Sequence, residues 1–527
     1  MTTQHAHPRH HAAEASTPRT YQHHIDGRRR DSEELIERRA PDTGAVVAHV
    51  PAGGPAEIDA AVRAARYAFD GRVGWPNLTG IERAAVLHRA ADLMEARADE
   101  LARLDAEEGG KPLRLAEGDI AGAVSLTRYA AGLAVQMHGT AYTNHGPDFT
   151  GIVLREPVGV VGLITPWNFP ALILSQKLPF ALAAGCTVVA KPSELTTGST
   201  IAISEMYAEA GLPTGALNVV TGDGRAGQAL AEHPGVDLLS FTGSTATGRR
   251  VIDASKANVK KLSLELGGKA ASLVFADADL DDAAEGVTFG VFFNNGECCV
   301  SHARLLVQDS IADDFLAELA SRARGLRVGQ PLDRATDVGP LIHDGHLAKV
   351  LGHIEGGRSE GARVLTGGGR ATGVGLDAGQ FVEPAILDDV TPTMRAFREE
   401  IFGPVLTVTR FHDAAEAVAL ANDVDYGLAN TVWSKNLDTV LPVAKALRSG
   451  TVWVNTTIDA PPTMPFGGYR ASGFGREMGQ AGFEEFTEVK SVNIRTGKRT
   501  GTFAIGAVDA PGQFAPLGQS DEGEWRS

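Results

Sequence analysis

Five short apolar segments, 158–165, 186–191, 217–221, 238–242 and 271–275, are separated by stretches with helical periodicity. Apolar runs of that length, rich in β-branched residues, read as strands covered on both faces. Strands that alternate with helices pair in parallel, because each crossover returns the chain to the same end of the sheet. The alternation therefore predicts a doubly wound parallel α/β sheet, in which ligands gather beyond the carboxyl ends of the strands.

The residues at those ends are polar or glycine-rich. After the first segment comes Thr165-Pro166-Trp167-Asn168-Phe169-Pro170, where two prolines forbid an immediate helix start and present the Trp-Asn pair on a fixed turn. After the second comes Lys191-Pro192-Ser193-Glu194. The third runs into Gly222-Asp223-Gly224-Arg225-Ala226-Gly227, which fits G-x-G-x-x-G but lacks the acidic residue expected on the next strand; the fourth runs into Thr242-Gly243-Ser244. Further on, Glu265 lies between an apolar strand and the turn Gly267-Gly268-Lys269, a place carboxylates seldom occupy without a function.

Two of the three cysteines in 527 residues are adjacent, in Asn294-Asn295-Gly296-Glu297-Cys298-Cys299. Taken alone, the pair reads equally as two small buried apolar side chains or as a nucleophile. A thiol acts as a nucleophile only as its thiolate, so a catalytic cysteine needs neighbours that lower its pKa or take its proton.

Glu265-Leu266-Gly267-Gly268-Lys269, followed by Gly296-Glu297-Cys298-Cys299 with the second cysteine 34 positions after the glutamate, resembles the two active-site motifs of the NAD(P)-dependent aldehyde dehydrogenases. The resemblance runs from about residue 21 to 495 and implies a fold: a Rossmann-type parallel-sheet cofactor domain, an α/β catalytic domain and a small β oligomerisation element. It implies Cys299 as nucleophile with Cys298 as a neighbour, Glu265 as base, Asn168 as oxyanion-hole amide and Lys177 near the thiol and the water path. For the cofactor it implies Thr165, Pro166, Trp167, Lys191, Ser193, Glu194, Gly224, Gly243, Ser244 and Gly267, with Glu400 at the nicotinamide ribose and Phe402 against the nicotinamide. The pyrophosphate falls at Gly243 and Ser244 rather than at the Gly222–Gly227 pattern. A carboxylate at 194 accepts from a 2′-hydroxyl and repels a 2′-phosphate, which favours NAD over NADP. At position 297 the family more often has Gln, and at 470 it usually has Lys where Arg470 stands, so a role carried over to Arg470 is in doubt.

The implied activity is NAD-dependent oxidation of an aldehyde to the acid, through a hemithioacetal and a thioester on cysteine, with water as acyl acceptor. The alternatives are a CoA-acylating or NADP-linked semialdehyde dehydrogenase, opposed by Glu265 and Glu194 respectively, and a non-catalytic binding protein on the same fold. The loop 455–464 should wall the aldehyde pocket, and its lack of aromatic residues leans towards an aliphatic or otherwise uncharged aldehyde.

The expected layout is a disordered leader (1–19, with His5, His7, His10 and His11), a cofactor domain (20–137 and 158–267) and a catalytic domain (268–477). Oligomerisation strands (138–157 and 484–497) and a flexible tail (498–527) complete it. Periodicity at Ile58, Val62, Ala65 and Phe69, and at Val86, Leu93, Leu101 and Leu104, predicts two helices between 56 and 108. The small β element predicts a homodimer or homotetramer. A net charge of −16 and a pI near 5.5 argue against nucleic acid or an anionic membrane as partners, and no apolar run nears membrane-spanning length. Three unevenly spaced cysteines suggest neither a disulfide framework nor a metal site, and point to the cytoplasm.

Overall fold

The computed structural model describes residues 17–71 and 74–496. Most of the leader, with its four histidines, and all of the tail 498–527 lie outside the described residues; Arg19 already belongs to a strand, Arg19–Thr20.

The described residues divide into two compact units, one of residues 17–137 with 155–488 and one of residues 138–154 with 489–496. The larger unit contains two parallel-based sheets. In the first, eight strands lie in the order Gly473–Phe474, Lys261–Glu265, Leu238–Thr242, Val160–Ile164, Thr187–Lys191, Leu217–Val219, His23–Ile25 and Arg28–Arg30. The five central strands are parallel, and Val160–Ile164, the first of them in the chain, lies at their centre. Strand order reverses there, which opens a crevice above the carboxyl ends of Val160–Ile164 and Leu238–Thr242. Val160–Ile164 and Thr187–Lys191 are buried at every position, as expected of parallel strands covered by helices on both faces.

The second sheet orders Arg363–Thr366, Ala385–Asp388, Val405–Phe411, Arg304–Gln308, Ala271–Val274, Ala429–Trp433 and Thr451–Val454, all parallel except the first. Strand Gly473–Phe474 belongs to the first sheet although the sequence boundaries give it to the catalytic part, pairing antiparallel with Leu264 and Glu265. That pairing fixes the base candidate at the rim of the crevice.

Between 55 and 109 the structure has three α-helices, Pro55–Asp70, Gly80–Ala96 and Ala98–Gly109, instead of two. Thr79 starts the second with a reciprocal capping box to Glu82, and Gly110 ends the third in the left-handed region at φ 78°. The break between the second and third lies at Arg97 (φ −112°, ψ 25°), where neither Gly nor Pro announces it. The smaller unit is built on a three-stranded sheet in the order Thr487–Arg495, Phe149–Pro157, Thr140–Tyr142.

Candidate active site

Helix Leu280–Phe292 ends in the turn Phe293–Gly296, where Asn294, Asn295 and Gly296 all take positive φ (50°, 59° and 71°). Asparagine tolerates that region better than most residues, yet each such position costs on the order of 1 kcal/mol or more and persists only where its surroundings hold it. The holding contacts are present. Asn294 Nδ2 donates to the Asn168 and Glu297 carbonyls at 3.1 Å each, Asn295 Nδ2 donates to the Pro340 carbonyl at 3.0 Å, and Asn295 Oδ1 accepts from Gly339 N–H at 2.7 Å. A side chain at Gly296 would strike the Gly403 backbone. Glu297 then points inward, its carboxyl accepting from Ile342 N–H at 2.9 Å, and burial pushes its pKa well above the usual carboxylate range. A protonated carboxyl is an isostere of an amide, which explains how Glu can stand where Gln is commoner.

The turn separates the two thiols: Cys298 is buried, whereas Cys299 is partly exposed. Both line a cavity of about 600 Å³ that also receives Glu265 and Glu477. The Cys299 thiol is pushed up, first by its hydrogen bond to Cys298, then by burial and by the charges of Glu400 and Glu265, so at rest it is neutral. Glu265 is buried, and burial followed by the nearby Glu477 raises its pKa well above the normal value, against the opposing pull of Lys177, Arg476 and the Gly468 backbone. Lys177, fully buried, reaches no thiol; its ammonium pairs with Glu477 and donates to Ser240 Oγ at 2.9 Å. Glu477 was not singled out from the sequence. Its partner lies 300 residues away, and nothing in the local motif marks it.

Asn168 lies between strand Val160–Ile164 and helix Pro170–Ala184, buried, with Nδ2 donating to the Glu297 carbonyl at 2.9 Å. An amide has two N–H donors, so this bond orients the group without exhausting it.

A second cavity, of about 1190 Å³, lies over the crevice and shares Thr242 with the first. Thr165, Pro166, Trp167, Lys191, Ser193, Glu194, Gly224, Gly243 and Ser244 all line it. Both glycine stretches weighed for the pyrophosphate face this one space. Their helix N-termini differ: that of Gly224–Glu232 is capped by the Asp223 carboxylate, and that of Thr245–Ala254 by the neutral Ser244 hydroxyl, which accepts from Thr247 N–H at 3.2 Å. An anion is welcome only at the second. Glu194 Oε2 lies 3.5 Å from Lys191 Nζ.

Gly267, Glu400 and Phe402 do not line this cavity but adjoin it. Glu400 accepts from Gly268 N–H at 2.9 Å, a Cβ at Gly267 would come within 2.5 Å of the Glu400 carboxylate, and the Phe402 ring stands edge-on to Trp167 at 5.4 Å. His346, also missed in the sequence, closes this corner: Nε2 donates to the Phe402 carbonyl at 2.6 Å and the ring stands 5.7 Å from Trp167. Burial pushes its pKa down to about 4, so it is a neutral donor. Arg470 lies away from both cavities and donates to the Asn422 carbonyl at 3.2 Å.

Loop 455–464 lines the first cavity through Thr457, Ile458, Asp459, Ala460 and Pro462, together with other segments. Aromatic side chains from other segments also line it, Phe169, Phe289, Phe293, Trp453 and Phe466, joined by Leu172 and Ile173. Of the charged lining groups, Asp119 pairs with Lys111, Glu477 with Lys177 and Arg114 with Asp337 at 2.8 Å, whereas among the described residues the exposed Asp459 accepts from the Thr456 hydroxyl and has no cation partner, and Glu265 forms no ion pair. Among the described residues no group of three or more His, Cys, Asp and Glu side chains could hold a metal ion.

A sequence model described as the aldehyde dehydrogenase family matches residues 28–492. Betaine aldehyde dehydrogenase of Bacillus subtilis is 44% identical over 451 residues, covering 85% of this chain and 92% of the relative. Among solved structures, the NAD-dependent aldehyde dehydrogenase from Sinorhizobium meliloti matches with TM-score 0.90 at 45% identity, covering 92% of this chain and 97% of the other. Betaine aldehyde dehydrogenase from Staphylococcus aureus in complex with NAD+ matches with TM-score 0.89 at 36% identity, covering 92% and 96%.

Proposed function

The chain belongs to the aldehyde dehydrogenase family, and from that premise we propose that Cys299 is its nucleophile, Asn168 its oxyanion donor and Glu265 the base that activates the hydrolytic water. It is an NAD-dependent enzyme that oxidises aldehydes to acids. The observation that carries the residue assignment is the shared space: Cys299 and Glu265 line one cavity, and that cavity meets the crevice at Thr242.

The crevice residues fit NAD. Lys191, Ser193 and Glu194 would hold the adenosine ribose, Gly243, Ser244 and the helix N-terminus behind them the pyrophosphate, and Glu400 and Phe402 the nicotinamide end. When bound, NAD supplies the hydride acceptor. The protein's own steps are acyl chemistry. Cys299 Sγ, its proton removed, bonds to the aldehyde carbon while the oxygen gains charge opposite Asn168 Nδ2 and the Cys299 N–H. Once the adduct is oxidised to a thioester, Glu265 takes a proton from water, the oxygen adds to the carbonyl, and the C–S bond breaks to return the thiolate. A carboxylate with a raised pKa is a stronger base once ionised, which suits Glu265 to this step. Lys177 holds Glu477 beside Glu265 and so tunes that base.

The aromatic, apolar wall favours an aldehyde with an aromatic or bulky apolar body, and the pairing of Asp119, Glu477 and Arg114, which leaves Asp459 as the exposed lining carboxylate without a cation, favours an uncharged one. We further read the enzyme as a cytoplasmic homo-oligomer. All three cysteines are free, which suits a reducing compartment, and strand Thr487–Arg495 forms a sheet edge with exposed Val489 and Ile494. The test is a kcat/KM panel read at the reduced-nicotinamide band. Benzaldehyde-like substrates should exceed trimethylammonium and carboxylate-bearing aldehydes of similar length by about tenfold or more, and equal efficiency for the charged ones would overturn the substrate reading.

A further inference from the structure

Three residues beyond Cys299, His302 is fully buried and takes no part in the chemistry described above. Its backbone N–H donates to the Gly290 carbonyl at 3.0 Å, and the ring packs so closely on helix Leu280–Phe292 that a Cβ at Gly290 would lie 2.5 Å from Nδ1. Nε2 lies 3.0 Å from Thr431 Oγ1, in the buried strand Ala429–Trp433, and Nδ1 lies 2.9 Å from Thr457 Oγ1, in the loop that walls the aldehyde cavity. Burial pushes the imidazole down to about 3, so it stays neutral, with one N–H donor and one acceptor. Ser272 Oγ also lies 3.4 Å from Nδ1, and Thr457 Oγ1 lies 3.4 Å from Nε2, so three hydroxyls, each able to give or receive, surround the ring, with Thr431 and Thr457 the nearer two.

The loop has reason to need an anchor. Asn455 and Ile458 both hold positive φ (52° and 60°), and for a β-branched residue such as Ile458 this is a true outlier. Asn455 is fixed by bonds to Ser434, with Oδ1 accepting from N–H at 3.0 Å and Nδ2 donating to the carbonyl at 2.9 Å. Asp459 is fixed through its carbonyl, which accepts from Trp453 Nε1 at 2.7 Å. Between them Thr457 has the imidazole, and the adjoining Ile458 packs with Phe169, Cys298 and Trp453.

We propose that His302 is a positioning residue for substrate selection, tying the segment that carries Cys299 to the cavity loop through Thr457 and holding Ile458 in place as part of the wall. The inference rests on the proposed aldehyde site. With the tie removed, Ile458 leaves its strained conformation and the wall loses its shape. A bulky aldehyde that depends on the wall binds less well, whereas the groups that do chemistry are not among the contacts of His302.

The experiment compares benzaldehyde with acetaldehyde in the wild type, Thr457→Val, His302→Leu, their double variant and His302→Asn, which keeps a donor and an acceptor near the Nδ1 position. Thr457→Val and His302→Leu should each raise the benzaldehyde KM about 5- to 20-fold, much more than they lower kcat, and shift acetaldehyde far less. The double variant should be no worse than the poorer single one, and His302→Asn should lie nearest the wild type. Thr457→Val removes only a hydroxyl at nearly constant size, so it decides the matter if His302→Leu does not fold. Unchanged KM values in Thr457→Val, or equal losses with both aldehydes, overturn the inference. A wild type that oxidises neither aldehyde with NAD would instead sink the proposed function.

Discussion

At the scale of single residues, the sequence offered two thiols and one carboxylate and could not rank the thiols by geometry. The turn at Asn294, Asn295 and Gly296 distinguishes them in exposure, burying Cys298 and leaving Cys299 partly exposed, while both line the cavity. If Glu265 chiefly serves hydrolysis, Glu265→Gln should keep most of the first burst of reduced nicotinamide while steady-state turnover falls by about 10²-fold or more, with a thioester adduct on Cys299 visible by intact-protein mass spectrometry. A variant with neither burst nor adduct would show that Glu265 is needed earlier, to deprotonate Cys299. Glu297 makes a separate prediction. Its folded pKa is raised by burial, so the folded state holds that proton more tightly than the unfolded chain does. Its contribution to stability is therefore most favourable below the ordinary carboxylate range and declines as pH rises from there towards the folded value. Glu297→Gln should accordingly melt higher than the wild type at pH 7 to 8, with the difference shrinking towards pH 4, and thermal scans across that range check it.

At the scale of elements, periodicity located Val160–Ile164 and Thr187–Lys191 because each is buried along its whole length, and a continuous apolar run is what such burial requires; Lys261–Glu265, exposed at its start, lies outside the five apolar segments, and the segment 271–275 belongs to the second sheet. Periodicity missed the division between Gly80–Ala96 and Ala98–Gly109, since the chain turns at Arg97 without a breaker residue. The turn Phe293–Gly296 is the element that sets the exposure of the two thiols. Gly296→Ala adds a methyl group against the Gly403 backbone at a residue with φ 71°, which should cost about 2 to 4 kcal/mol and reduce kcat/KM by more than the loss of folded protein explains. Denaturant unfolding measured beside kinetics separates the two effects. The cavity loop gave the weakest reading, because its own residues carry few aromatic groups whereas the wall is assembled from Phe169, Phe293, Trp453 and Phe466, four separate places in the chain.

At the scale of the whole molecule, the three-stranded sheet with Thr487–Arg495 at its edge predicts self-association. Sedimentation at micromolar concentration should give a dimer or tetramer, and Val489→Lys should weaken it; a fully active monomer would refute the reading. The sequence by itself determined the fold class and, through its resemblance to the family's short motifs, named Cys299, Glu265 and Asn168 as the candidates that the structure brings to the cavity and its border, because backbone periodicity and short motifs are local properties. Only the tertiary structure decided the partners of those groups. Glu477 meets Lys177 across 300 positions, His302 meets Thr457 across 155, and both helix N-termini open on one cavity. Such contacts arise because buried polar groups must find partners wherever packing brings them, and no local pattern in the sequence records where that will be.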